Sequence, residues 1–346
     1  MLPDDVLLDI FDFYRMDSTF YPWTWVTLAH VCPRWRQVIF ASPRRLDLQF
    51  LCTPRTRVKE LLDFLPPAIP IMISNSFDSP IPHTTLSLED GSQIIAAIEQ
   101  RDRVWWIHLQ DMPSDLLEKL SMMMREIFPT LKYLRLWAAD RPEVESQAQA
   151  ASASASAGAS SAAPVAAALP EGFLGGSAPG LESLMLRGIS FPEISKLLLS
   201  TNELVHFVLE KIPDSGYISP EAMIAALSTC TKLEMLVIEF QSEGPHPHSH
   251  PDAEHDSTTS QGNTTISNIN TRISLPALTY FNFDGNGGYF DNFVPRIESP
   301  LLTRDTNPFW QQDTSEVRHV HYEASFTRTR LSSRYFSRPL NILEYE

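Results

Sequence analysis

Cysteine is scarce in this chain: its 346 residues include only three, Cys32, Cys52 and Cys230. An odd number of cysteines without metal-ligand spacing argues against a disulfide framework and against a structural zinc site. Free cysteines are among the most buried side chains of folded proteins. We therefore expect reduced, buried thiols, as in a protein of the cytosol or the nucleus.

Basic residues are also few in relation to acidic ones. The chain has 27 Lys and Arg against 42 Asp and Glu, which gives a formal net charge of -15. A charge of this sign repels a phosphate backbone over most of the surface, and so argues against general nucleic-acid binding. A protein partner or a basic peptide fits better.

Long apolar runs are missing as well. No stretch approaches the roughly 20 consecutive apolar residues of a membrane-spanning helix, and the first residues lack the basic and then apolar order of a secretion signal. The hydrophobic content of 43% nevertheless suits a folded chain with a sizeable core. These features predict an intracellular protein without a membrane partner.

The N-terminal residues carry the most specific pattern. Within residues 3–14 the apolar positions follow a helical period, at Val6, Leu7, Ile10, Phe11 and Tyr14. Pro3 suits the first turn of a helix. Helical runs at about 23–31 and 33–41 follow, and Ser42-Pro43 ends the third run because the residue before a proline is pushed away from helical geometry. The sequence predicts three short helices.

The order of residues in these helices resembles an F-box. The match consists of a start at Leu2-Pro3-Asp4-Asp5-Val6-Leu7 and a later Leu28-Ala29-His30-Val31-Cys32-Pro33-Arg34-Trp35-Arg36. Two departures are that Asp5 stands where the family more often has glutamate, and that the loop at 16–25 is longer and more aromatic. The alternative interpretation is a helical cap that only covers the first strand of a repeat array.

The resemblance implies a docking role. In F-box proteins this segment binds a Skp-type linker subunit, which joins it to a cullin, while the downstream domain holds the substrate for ubiquitin transfer. The matching positions are Leu2, Pro3, Val6, Leu7, Ile10, Phe11, Leu28, Val31, Cys32, Trp35 and Val38. Some of them must form the core of the helices instead, and the sequence alone does not separate the two sets.

From Arg45 onward, short strand-like runs alternate with polar turns and helical segments. Five runs fit the apolar-x-x-apolar-x-apolar strand of a leucine-rich repeat, at 131–136, 181–186, 204–209, 233–238 and 278–283, with weaker copies at 46–48, 69–73 and 104–109. The third run starts 23 residues after the second, and the fourth starts 29 residues after the third. Both distances lie within or at the edge of the period of about 20–29 residues typical of such repeats. Helices are predicted between the strands at 58–65, 93–100, 114–128, 192–199 and 220–227.

Two segments interrupt this rhythm. Residues 147–168 are almost wholly Ala and Ser, and residues 242–270 are rich in Gly, Pro, His, Ser, Thr and Asn. Both lack the apolar side chains that offset the entropy of ordering, so the sequence predicts disordered insertions. The histidines of the second segment lack the surroundings of a rigid metal site.

The period of two residues along a strand assigns side chains to two faces. The core set is predicted to contain Leu134, Leu136, Leu184, Leu186, Leu236 and Ile238. The positions expected to face a partner are Lys132, Tyr133, Arg135, Ser183, Met185, Val237 and Glu239.

No group of residues suggests catalysis. Asp284-Gly285-Asn286-Gly287-Gly288 lacks the spacing of a calcium or phosphate loop and is predicted to be a turn after a strand. No nucleophile, base and orienting acid can be identified together. We therefore expect no catalytic, cofactor-binding or metal-binding residues.

These patterns predict an α/β chain with two parts. Residues 1–45 would form a three-helix F-box, and residues 46–346 an irregular leucine-rich-repeat-like solenoid with parallel strands on its concave face. The whole resembles the F-box proteins of mushroom-forming fungi, which implies a non-catalytic substrate adaptor of a Skp-cullin-F-box ubiquitin ligase. The alternative is a repeat-type protein-binding scaffold without ubiquitin chemistry.

Overall fold

A computed structural model of the chain describes residues 2–17, 25–76, 88–139, 167–241, 271–302 and 317–323. Nine α-helices lie in these ranges: α1 (Asp4–Asp17), α2 (Trp25–Ala29), α3 (Pro33–Ala41), α4 (Val58–Leu62), α5 (Leu88–Ile98), α6 (Ser114–Met123), α7 (Ile194–Leu198), α8 (Pro220–Leu227) and α9 (Gly287–Phe293). The strands are β1 (Phe50–Cys52), β2 (Ile71–Ser74), β3 (Val104–Met112), β4 (Tyr133–Ala138), β5 (Ser183–Arg187), β6 (His206–Ile212), β7 (Met235–Phe240), β8 (Ile273–Ser274), β9 (Tyr280–Asn286), β10 (Ile297–Glu298) and β11 (Val317–Glu323).

One sheet of nine strands organises the fold. Its order is β1-β2-β3-β4-β5-β6-β7-β9-β11, so each of its strands lies beside its predecessor in the chain. All pairs are parallel except β9 with β11, and β8 forms a separate parallel pair with β10. The predicted α/β class and parallel strands are confirmed. The sheet is not curled, so its strands do not line a concave face as predicted.

Register aligns the largest apolar side chains in rows across the strands. Leu134 pairs with Leu184, which is followed on the next strands by Phe207, Leu236 and Phe281. These residues are buried in one cluster with apolar residues of the helices. The predicted core positions of the strands are therefore confirmed, and helices cover that face of the sheet.

The N-terminal helices join the same core. Leu7 and Phe11 of α1 belong to the cluster that continues through Leu46 and Leu48 into the sheet. The indole nitrogen of Trp25 donates a buried hydrogen bond to the carbonyl of Gln49, at 2.8 Å. This bond fixes α2 to the segment that leads into the first strand.

The start of α8 follows the expected capping chemistry. Pro220 occupies the first turn of α8, and the Ser219 hydroxyl accepts a hydrogen bond from the amide of Ala222 at 3.2 Å. The segment predicted as a turn after Asp284 is different. It ends β9 and begins α9, because Asn286 Oδ1 caps the helix by accepting from the amide of Gly288 at 2.7 Å.

The insertions predicted from composition lie almost wholly outside the described residues, which exclude 147–166 and 242–270. The exception is the end of the first one. Ala168 forms an isolated parallel bridge with Ser190, and the Ser190 amide donates to the carbonyl of Ala167 at 2.8 Å. Residues 167 and 168 therefore belong to the folded part of the chain.

A left-handed residue recurs after the last core leucine of three strands. Asp111, Gly188 and Lys211 have φ of 49°, 65° and 49°, and each lies two positions after a buried leucine of β3, β5 or β6. The pairing register shifts at this place in β3 and β6. The same backbone bend is thus built three times, which is a structural repeat that apolar periodicity did not reveal.

Gly188→Ala should cost about 1 kcal/mol of stability, because a side chain at positive φ is strained. Its Cβ would meet Ala138 Cβ at an ordinary 3.5 Å, so steric crowding adds little. Gly180→Ala is the matched control, since its φ is not positive and its Cβ would have only contacts at 3.9 Å. Urea unfolding should show loss of stability for the first variant and none, or a gain, for the second; equal effects would contradict the strain.

Candidate functional site

Helix α1 presents three distinct faces. Leu7, Leu8 and Phe11 are buried in the core. Asp5 and Asp9 lie on a second face, which a later segment of the chain contacts. The third face is apolar and exposed. A helix that buries one apolar face and exposes another has a surface in excess of what its own fold needs.

Arg45 holds the acidic face of α1. Its guanidinium lies 2.5 Å from Asp9 Oδ1 and 3.9 Å from carboxylate oxygens of both Asp5 and Asp12. At the start of the helix, Arg34 Nη2 donates to Asp4 Oδ1 at 2.8 Å. Asp4, Asp5, Asp9 and Asp12 of α1 are thus engaged within the chain.

The structure divides the residues that match F-box docking positions. Leu7, Phe11 and Val38 are buried, and Leu28, Cys32 and Trp35 are half-buried. Pro3 is exposed. Four large apolar side chains are exposed as well, with exposed fractions of 51% for Leu2, 40% for Val6, 44% for Ile10 and 57% for Val31. Only the exposed members are available to a partner in this conformation.

Phe13 extends the exposed set and was missed by the sequence comparison. It is 77% exposed and follows Ile10 by three residues, so the two side chains lie on neighbouring turns of the same face. We call Leu2, Val6, Ile10 and Phe13 the α1 apolar stripe. The spacing of four, four and three residues is the signal that identifies Phe13 from the sequence.

Trp35 and Cys32 have structural roles in the helices. The Trp35 ring packs edge-on against Phe11, with centroids 4.9 Å apart. Cys32 caps α3, since its Sγ accepts a hydrogen bond from the Trp35 amide at 3.5 Å. Cys32 is half-buried, whereas Cys52 and Cys230 are buried as expected, and all three are free thiols. Burial raises the pKa of Cys52 to about 12.

The sheet face opposite the helices is a second candidate surface. Met185, Val208 and Val237 form a small cluster on it, to which Met235 and Tyr280 add partly buried side chains. No helical residue of the described ranges belongs to this cluster. We call this surface the open face. Met185, Ser183 and Val237, which were expected to face a partner, lie on the open face but are buried among their strand neighbours.

Trp137 is the centre of a cationic patch on the open face. The Arg135 guanidinium lies 5.1 Å from its ring centroid and the Arg187 guanidinium 5.5 Å. His108 packs edge-on against the same indole at 6.0 Å. The Trp137 ring attracts both guanidinium groups through cation–π interactions. These interactions keep the two cations together on the open face.

Three carboxylates follow on the next strands. Arg187 pairs in register with Glu210 on β6, and Glu239 on β7 pairs with Asp284 on β9, while the pairing of β6 with β7 becomes irregular after Leu209. Burial raises the pKa of Glu239, and the charges of Glu210 and Asp284 raise it further. We call this set, from Trp137 to Asp284, the charged row.

Trp137, Arg187, Glu210 and Asp284 were not among the positions predicted to face a partner. Each of them directly follows the last apolar residue of its predicted strand. The assignment of alternate residues to the two faces of the sheet ended at that apolar residue. Continuing the period of two by one step from Arg135 and Met185 gives Trp137 and Arg187 directly. The signal was therefore present in the sequence.

Comparison of the chain with protein-family models, with curated proteins and with solved structures gave no match. None of the helices in the described ranges has the length and apolar content that crossing a membrane requires. Within the same ranges, no three His, Cys, Asp or Glu side chains are grouped so that they could hold a metal ion. The two surfaces described above are the features from which a function can be argued.

His108 should make stability depend on pH. Burial and, secondarily, Arg135 lower the pKa of His108 to about 3, and its Nε2 lies 2.7 Å from Gln110 Nε2, an amide donor that favours the unprotonated ring. Since the unfolded residue titrates near 6.5, its contribution is fully present above that pH and is lost as pH falls towards 3. Wild type should lose more stability between pH 7 and pH 5 than His108→Gln does.

The measurement is the urea midpoint of each protein at the two pH values. Replacing the exposed His30 by Gln is the matched control, and this variant should keep the wild-type pH dependence. Equal losses in wild type and His108→Gln would show that His108 is protonated alike in the folded and unfolded chain.

Proposed function

We propose that the chain is the substrate-recognition adaptor of a Skp-cullin-F-box ubiquitin ligase. In this proposal the N-terminal helices are an F-box that binds a Skp-type linker subunit and, through it, a cullin. The strands and helices that follow are a leucine-rich-repeat-like solenoid that holds a protein substrate. The chain itself makes and breaks no bond, and it acts inside the cell by raising the local concentration of substrate near the transferring enzyme.

The observation that carries the proposal is the α1 apolar stripe. Three large apolar side chains of α1, preceded by Leu2 just before the helix, are exposed in a row, and the core face and the acidic face of the helix are already engaged. Exposed apolar surface of this kind marks an interaction site, because burying it against a partner removes it from water. The stripe also contains Leu2, Val6 and Ile10, which match docking positions of the F-box family.

The strand order supports the repeat part of the proposal. Each strand from β2 to β7 is parallel to its predecessor and beside it, as expected when successive repeats stack on their neighbours. The left-handed residue that recurs in three of the units is a second repeated feature. Together they favour one structural unit per strand.

The open face favours a second candidate function. Its charged row does not involve the N-terminal helices, so a protein-binding scaffold without ubiquitin chemistry would use it equally well. The two candidates differ only in whether the α1 apolar stripe binds a Skp-type subunit. That difference makes the complex the decisive measurement.

Truncating the stripe should weaken the complex without unfolding the chain. For Val6→Ala combined with Ile10→Ala we expect at least tenfold weaker binding to a purified Skp-type subunit, because a few central apolar anchors supply most of the affinity of such interfaces. Binding is measured by titration calorimetry and folding by circular dichroism. Failure of wild type to bind would end the adaptor proposal and leave the scaffold.

Two controls separate docking from folding. Leu61→Ala combined with Leu199→Ala removes exposed apolar side chains on α4 and directly after α7, and this variant should bind as wild type does. Leu7→Ala truncates a buried side chain and should cost roughly 2–5 kcal/mol of stability. If the double variant of the stripe kept wild-type affinity, docking would have to use another surface.

A further inference from the structure

Strand β1 is an edge of the nine-stranded sheet in the described part of the chain. Its only partner there is β2, and the Phe50 amide donates to the carbonyl of Pro70 at 2.9 Å. In a parallel pair, the N–H and C=O of one residue point to the same side, and successive residues point to opposite sides. Phe50 and Cys52 therefore face β2, whereas Leu51 turns its N–H and C=O to the free edge.

The main-chain groups nearest to Leu51 along this edge are already engaged. The carbonyl of Gln49 accepts the buried hydrogen bond of the Trp25 indole at 2.8 Å. The amide of Thr53 donates to Thr56 Oγ1 at 2.9 Å. Neither outward group of Leu51 has such a partner among the described residues. An edge that is blocked at both ends and open at one residue can pair with a short segment but not with a long strand.

The open residue lies in a groove with a volume of about 580 Å³. Val26 of α2 and Leu61 of α4 line this groove together with Leu51, and we call it the edge groove. Val26 and Leu51 are half-buried, and Leu61 is 38% exposed. The edge groove thus offers apolar contacts beside one main-chain donor and one main-chain acceptor. Hydrogen bonds are stronger in such a partly desolvated place than in open water.

The edge groove carries a net positive charge, although the chain is acidic. Its charged lining residues are Arg55, Arg57 and Glu60. Arg57 Nη1 lies 3.6 Å from Glu60 Oε2, so these two residues form an ion pair. Arg55 is exposed and has no ion pair within the described residues. A guanidinium forms its strongest contacts with oxyanions, so Arg55 favours a ligand with a carboxylate.

We propose that the edge groove binds an extended segment of another protein that carries an acidic side chain. One C=O of the segment accepts from the Leu51 N–H, and one N–H of the segment donates to the Leu51 C=O. Apolar side chains of the segment pack on Val26 and Leu61, and its carboxylate contacts Arg55. Pairing of one donor and one acceptor on a strand edge is main-chain chemistry, which favours a polypeptide over a small anion or a nucleic acid.

The charge is tested with the immobilised full chain and no Skp-type subunit. The probes are 10-residue peptides with blocked ends and random uncharged residues, in three sets that contain one fixed Glu, one fixed Lys or no charge. The Glu set should bind at least fivefold more tightly than the other two. Arg55→Gln should remove this preference, and Arg125→Gln, at an exposed position that does not line the groove, should keep it. Equal binding of the three sets, or equal effects of the two variants, would overturn the proposal.

Main-chain pairing is tested by methylating the amides of the tightest Glu peptide one at a time, with binding to the wild-type chain measured by titration calorimetry. Methylation of one amide should weaken binding at least tenfold, because only the Leu51 C=O accepts a hydrogen bond from the segment. Methylation of the two neighbouring amides should have little effect. Loss of binding at every second amide would indicate a longer strand pairing, and loss at no amide would exclude pairing; both results would overturn the proposal.

Leu51→Pro tests the same bond from the side of the protein. It removes the outward N–H and no hydrogen bond to β2, a change that an edge strand tolerates, and it should weaken peptide binding at least tenfold. Leu51→Ala keeps the N–H and is the matched control, which should bind much more tightly than Leu51→Pro. Circular dichroism checks that both variants fold. The methylation series needs no variant, and so it decides the question even where Leu51→Pro unfolds the chain.

The inference is independent of the ligase proposal. The variant with Val6→Ala and Ile10→Ala should bind the peptides as wild type does, because the α1 apolar stripe does not line the edge groove. Peptide binding by a chain that binds no Skp-type subunit would therefore support this inference and remove the adaptor role. Concentration-dependent dimers of wild type that Leu51→Pro abolishes and the peptide dissociates would place a second copy of the chain in the edge groove, and would overturn the proposal.

Discussion

Burial of one face of a parallel sheet under helices is the constraint on which the rest of this structure depends. Each strand contributes side chains at every second position to that face, where Leu134, Leu184, Phe207 and Leu236 lie side by side in register. A shift of one residue in any strand would move these side chains to the other face. The register of the core therefore also fixes the order of the charged row on the open face.

The same constraint explains why two surfaces are left over. The helices bury apolar side chains in one common core with the sheet, to which α1 contributes Leu7 and Phe11, while Arg45 contacts the acidic face of α1. The remaining apolar stripe contributes nothing to this core. The open face likewise lacks helical cover within the described ranges, although Met185, Val208 and Val237 bury one another on it. Surplus surfaces at two separate places suit a protein that joins two partners.

Much of the secondary structure could be predicted because its signals are local. The apolar pattern located β4 to β7 and β9 to within two residues at their starts and three at their ends, and Pro33 and Pro220 correctly mark helix starts. The prediction was wrong for Gly287 and Gly288, since an asparagine cap began a helix where two glycines indicated a turn. The left-handed residues at Asp111 and Lys211 were also missed, because neither residue type requires positive φ.

The sequence by itself determined which side chains alternate along each strand and which helical positions are apolar, because both periods are set by backbone geometry. Only the tertiary structure decided which apolar residues of α1 are core and which are exposed, since helix periodicity is the same for both. It alone also placed Arg135 and Arg187 on one indole, although they are far apart in the chain. Parallel pairing brings such residues together, and no local pattern records which strands become neighbours.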